Sequence, residues 1–74
     1  MKKEDQTLVL LYSEVGWVDE AVLVSWVEYS SITMFRRRIL KPLHQAKLIE
    51  YDTKLRWACI NPHGAKSVEN RLLK

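Results

Sequence analysis

The sequence is poor in cysteine, glycine and proline, and each scarcity closes off a class of protein. A single cysteine, Cys59, excludes an internal disulfide and fits a reducing compartment. Two glycines, Gly16 and Gly64, cannot build a glycine-rich phosphate loop. Cys59, His44 and His63 are the only thiol and imidazole groups, too few for the about four ligands that zinc takes. No carboxylate pair sits in an evident pocket, so no enzyme, metal, cofactor or small-molecule ligand is expected. Apolar runs stay well below the ~20 residues of a membrane span, and no membrane contact is expected. Met1-Lys2-Lys3 leads into Glu4 and Asp5, not into an apolar run, so no secretory leader is expected and the expected compartment is the cytoplasm. No linker, repeat or low-complexity segment is evident.

Acidic residues are also unevenly missing. None occurs between Glu28 and Glu50. Residues 1–28 carry two Lys against six Asp or Glu, and residues 29–74 carry ten Lys or Arg against three Asp or Glu. The net charge of +3 therefore hides an acidic first part and a strongly basic remainder. Such a split suits a basic binding half on a scaffold half. The plain alternative is a solvated basic surface. At 74 residues and 47% hydrophobic, the chain makes one domain, 1–74, with a marginal core. Trp17, Trp26 and Trp57 are expected to supplement that core by packing.

Residues 1–3 are polar and terminal and are expected to be loose. A helix is expected from Asp5 or Gln6, with Leu8, Leu11, Tyr12 and Val15 on its stripe and Gly16 ending it. Trp17 to Glu20 reads as a link with Asp19 as N-cap, and Ala21 to Tyr29 as a second helix bearing Val22, Leu23, Trp26 and Val27. A third helix starts at Ser30 or Ser31. Ile32, Phe35, Ile39, Leu43 and Ala46 recur at steps of three and four and define its buried face. Thr33, Met34, Arg37, Arg38 and Lys41 fall on its other faces. Pro42, deep inside it, predicts a kink or a split rather than a stop, because the stripe continues beyond it. Leu48 to Asp52 and Leu55 to Ile60 read as a hairpin around Thr53-Lys54, with a longer loop drawing in Asp52 or Leu55 as the alternative. Asn61-Pro62 opens a closing helix with Ala65, Val68, Leu72 and Leu73 on its apolar side.

RRRILKPLHQAKLIEYD resembles the recognition helix and first wing strand of winged helix-turn-helix domains in small bacterial and archaeal regulators. RWACINPHG resembles the second wing strand and the start of the closing helix. The hairpin tip is short, and Lys47 stands where the family often has glycine. The resemblance implies an α+β, mostly helical fold: three helices, a short two-stranded wing hairpin and a C-terminal helix. It also implies double-stranded DNA binding with the third helix in the major groove, and a role in transcription regulation. On that reading Arg36, Arg37, Arg38 and Lys41 contact bases or phosphates. Ser30, Ser31 and Thr33 meet phosphate near the helix start, and Lys54 and Arg56 reach flanking phosphates from the hairpin.

One of the three arginines, Arg36 or Arg38, is expected to serve internal packing or pairing instead. Cys59 is expected to be a small buried hydrophobe. A homodimer, seamed through the first or last helix, would place two copies on two half-sites. The competing function is a winged-helix protein-interaction module whose basic face docks an acidic partner. RNA binding is the weaker third option, since no aromatic stacking surface is evident.

Overall fold

The computed structural model describes residues 2–73, which form four helices and one three-stranded antiparallel sheet, an α+β architecture. Helix α1 spans Lys3–Ser13, strand β1 Val18–Asp19 and helix α2 Glu20–Trp26. Helix α3 occupies residues 32–45, β2 is Ile49–Asp52, β3 is Trp57–Ile60, and α4 covers residues 62–72. Lys3 already belongs to α1, so the expectation that residues 1–3 are loose fails at Lys3. Met1 lies outside the described residues.

The core is built from one face of every element. Leu8 and Leu11 of α1, Leu23 and Val27 on and just beyond α2, and Phe35, Ile39, Leu40 and Leu43 of α3 are buried. Val18, Ile49 and Ala58 of the sheet and Val68 of α4 complete it. Full burial of side chains this size stabilises by about 1.5–3 kcal/mol each. Tyr29 packs its ring edge-to-face on Phe35 at 5.5 Å, bracing the start of α3. Val68 and Leu11 are consumed by this core, so neither terminal helix keeps its whole stripe for a second copy.

Helix α3 runs past Pro42, as its stripe implies, by way of a wide turn. It is α-helical over Ile32–Phe35 and Lys41–Gln45, with a π-helical turn at Arg36–Leu40 between. The Lys41 N–H donates to the Arg36 carbonyl, five residues back. Proline has no N–H and its ring crowds the carbonyl four residues earlier, here Arg38, so the turn opens just ahead of it. The extra residue adds Leu40 to the buried face, while Ile32 and Ala46 turn out to be exposed. Ser31 is the N-cap: its Oγ accepts from the Met34 N–H at 3.3 Å.

Two helices end in left-handed residues that are not glycine. After α3, Lys47 has φ 63°, its N–H donates to His44 O at 3.0 Å, and the Leu48 N–H donates to Leu43 O at 3.0 Å. After α2, Glu28 has φ 56°, with the Glu28 N–H on Ser25 O at 3.2 Å and the Tyr29 N–H on Val24 O at 3.0 Å. Both pairs of bonds form the Schellman cap, whose reversing residue is ordinarily glycine. A side chain there is strained by roughly 1 kcal/mol. Lys47→Gly is therefore expected to raise stability by about 0.5–1 kcal/mol, read as a higher urea midpoint at unchanged slope; an unchanged midpoint would show that Lys47 bears no strain.

Several expected boundaries move. Helix α1 ends at Ser13, whose Oγ donates to Leu10 O at 2.8 Å, so Val15 lies outside it and is fully exposed. The link at Val18–Asp19 forms a third strand, giving the order β1-β3-β2 instead of a two-stranded hairpin. Helix α2 stops at Trp26, short of Tyr29. Leu55 and Arg56 leave the second hairpin strand for a four-residue loop, 53–56, closed by Arg56 at φ 59° and by its N–H on Asp52 O at 2.8 Å. The Asp52 carboxylate accepts from the Lys54 and Leu55 N–H groups at 2.9 Å each, which shapes a turn without glycine.

None of the three tryptophans enters the core; Trp17, Trp26 and Trp57 keep 50%, 46% and 39% of their surface. Alternation explains Trp57: its neighbour Ala58 lies buried between Val18 and Tyr51, so Trp57 must face outward. On α2 the inward face runs through Glu20, Leu23 and Val27, which leaves Val22 and Trp26 on the next face out.

Candidate nucleic-acid interface

The chemistry of this fold gathers where α3 meets the hairpin. A buried carboxylate stands at its centre. Glu20, the first residue of α2, keeps only 3% of its side-chain surface. Arg36 grips it with two parallel hydrogen bonds, Nη2 to Oε1 at 2.6 Å and Nε to Oε2 at 3.0 Å. The Tyr51 hydroxyl donates to Oε2 at 3.0 Å, and Arg56 Nε stands 4.0 Å from Oε1. The Glu20 N–H also donates to Arg56 O at 2.9 Å. One carboxylate thereby ties α2, α3, β2 and the hairpin loop together. Such a forked pair is the strong form of a charged hydrogen bond. The Glu20 hydrogen bond raises the Arg36 pKa above the usual guanidinium range, with burial opposing.

Arg36 is thus engaged inside the protein, in line with the expectation that one of the three arginines serves internal packing or pairing. Arg37, Arg38 and Lys41 are exposed, and none makes an ion pair or side-chain hydrogen bond among the described residues. Thr33, Arg37 and Lys41 follow at steps of four along the outer surface, with Arg38 one position round. Arg36, Arg37, Lys41 and Arg56 line one cleft of about 290 Å³ between α3 and the hairpin. Arg38, Lys54, Ser30, Ser31 and Thr33 do not line it. Ser30 and Thr33 are exposed at the helix start, and Ser31 Oγ is engaged as the cap while its O–H can still donate. Lys54 is exposed on the hairpin loop.

Glu20 and Tyr51 are the site residues that sequence reasoning missed. A signal for Glu20 was present: it stands three and seven positions before Leu23 and Val27, an acid on an apolar stripe. Away from this site, Cys59 is half-buried on β3, and burial, with Glu50 adding, pushes its thiol pKa up. It is less buried than expected and stays a thiol of low reactivity.

No protein-family model, curated protein or solved structure matches this chain. Fold and site define a class: a small α+β domain with a cationic face shared by one helix and a β-hairpin loop.

Proposed function

We propose that this domain is a winged helix-turn-helix that binds double-stranded DNA, with α3 in the major groove and the β2–β3 hairpin as a short wing. The particular role we assign is transcription regulation in the cytoplasm, with a homodimer placing two α3 helices on neighbouring half-sites. The element order, the sheet order β1-β3-β2 and the position of α3 beside the hairpin support the fold reading. The observation that carries the function is the outer face of α3, where Arg37, Arg38 and Lys41 stand exposed with no acidic partner among the described residues. Unpaired cations on a convex helix are arranged for phosphate and for guanine edges, which Arg can grip by two hydrogen bonds.

The test is a gel-shift or anisotropy series on random duplexes at two salt concentrations. Log affinity is expected to fall with log salt at a slope of about −4 to −5, for ~4–6 neutralised phosphates. Replacing Arg37, Arg38 and Lys41 together by Ala is expected to weaken binding roughly 100-fold or more and to flatten the slope. Affinity that ignores both salt and the triple replacement would sink the reading.

A second reading, a protein-docking module, draws on the half-exposed tryptophans. Trp57 and Glu50 stand on the outer face of the sheet, and Trp17 precedes its first strand. In that reading the basic face of α3 meets an acidic protein, and the triple replacement abolishes that association in a protein that never bound duplex.

A further inference from the structure

We infer that the cleft between α3 and the hairpin is a dedicated site for a phosphate or diphosphate group. The charge count is the first argument. Arg36, Arg37, Lys41 and Arg56 line it, and among the described residues Glu20 is the one carboxylate bonded to any of them. Arg36 already satisfies Glu20 through both carboxylate oxygens. Arg56 is held only at 4.0 Å, the outer limit of an ion pair, and its side chain is half exposed. Three cations therefore face one small space with almost no compensation, an arrangement that repels itself until an anion enters.

Size and surface are the second argument. About 290 Å³ lies just below the ~300–1,000 Å³ of drug-sized ligand sites, room for a small phosphorylated group such as pyrophosphate rather than a large ligand. Leu40 and Tyr51 are among the residues that form the wall, so the charges there border the apolar core, where their attraction for an anion exceeds that on an open surface. Thr53 adds a hydroxyl donor, and Arg37 and Arg56 bring guanidinium forks that match phosphate oxygens. Arg56 is pinned by its own backbone: its N–H is on Asp52 and its carbonyl accepts from Glu20. Its side chain can thus turn from Glu20 toward an anion without moving the loop.

The phosphate has two possible sources: the backbone of a bound duplex, which rests on the DNA reading, or a free phosphorylated molecule, which does not. The experiment is a two-dimensional amide NMR titration of the whole chain with inorganic pyrophosphate, at ionic strength held constant with chloride. Saturable shifts are expected at Leu40, Lys41, Thr53 and Arg56. Arg56→Gln and Lys41→Gln should each weaken that binding about 5- to 10-fold, while Arg38→Gln leaves it unchanged; thermal midpoints confirm that each variant is folded. Shifts that chloride reproduces, or that Arg38→Gln weakens equally, overturn the site. Displacement of a bound duplex by pyrophosphate assigns the cleft to a backbone phosphate, and simultaneous binding assigns it to a free ligand. Pyrophosphate binding without any duplex binding keeps the site and removes the DNA reading. Duplex binding without pyrophosphate shifts does the reverse.

Discussion

Gly64→Ala is expected to destabilise the domain by about 1–3 kcal/mol net, although Gly64 lies in the first turn of α4, where alanine is intrinsically better by about 1 kcal/mol. The reason is contact, not conformation. A Cβ built at Gly64 would meet Leu48 O at 2.0 Å and Ile60 Cγ1 at 2.9 Å. The first of these is backbone and cannot swing aside. Leu48 is also fixed at both ends: its N–H donates to Leu43 O at 3.0 Å, and its carbonyl accepts from the Asn61 N–H at 3.3 Å. To admit the methyl, the start of α4 must move off the strand. That motion strains the cap, in which Asn61 Oδ1 accepts from the Gly64 N–H at 2.8 Å and Asn61 Nδ2 donates to Lys47 O at 2.8 Å. Overpacking alone costs about 1–3 kcal/mol, and a lost cap about 1 more. Against a total of roughly 4–11 kcal/mol for a chain this length, the loss is large. Urea denaturation should show it, with Lys66→Ala, exposed on the same helix, as the near-neutral comparison. A Gly64→Ala midpoint equal to that of Lys66→Ala would mean that α4 adapts freely.

Arg36→Ala is the second large effect, and it separates one arginine from its two neighbours. Its removal leaves the Glu20 carboxylate, 3% exposed, with the Tyr51 hydroxyl and an Arg56 at 4.0 Å. Stripping one partner from a buried pair costs about 3–5 kcal/mol. Arg36 keeps 31% of its side-chain surface, so water relieves part of this, and about 2–3 kcal/mol is expected. For a domain this size that lowers the thermal midpoint by on the order of 10–20 °C. Arg37→Ala and Arg38→Ala should stay within about 0.5 kcal/mol of the parent, as surface positions do. Adding Glu20→Gln to Arg36→Ala should recover part of the loss, because the stranded charge is gone. Equal stability of all three arginine variants would remove the network from its organising place.

The features legible in the sequence were those decided within a few neighbouring residues. The α3 stripe through Phe35, Ile39 and Leu43, the capping at Asn61-Pro62 and the continuation past Pro42 follow from helical period and cap chemistry. The π-helical turn was not legible, since several distortions can accommodate a proline and packing of Leu40 chooses among them. Trp57 was misread because hydrophobicity says that a side chain gains by burial, not which face of a strand will be covered. The left-handed Lys47 was foreseen only as a departure from a glycine-bearing pattern; the Schellman bonds show how the backbone holds it.

What the sequence determined alone is where charge lies along the chain and which segments could be helix or strand. Both depend on spacings of a few residues and on side-chain chemistry that travels with the residue. Only the tertiary structure decided which cation is spent inside the protein. Arg36, Arg37 and Arg38 are chemically identical, and the choice follows from Glu20, sixteen positions before Arg36, being carried by α2 onto one side of α3. A buried carboxylate must find a partner, and the packing of two helices and a hairpin sets which guanidinium is within reach.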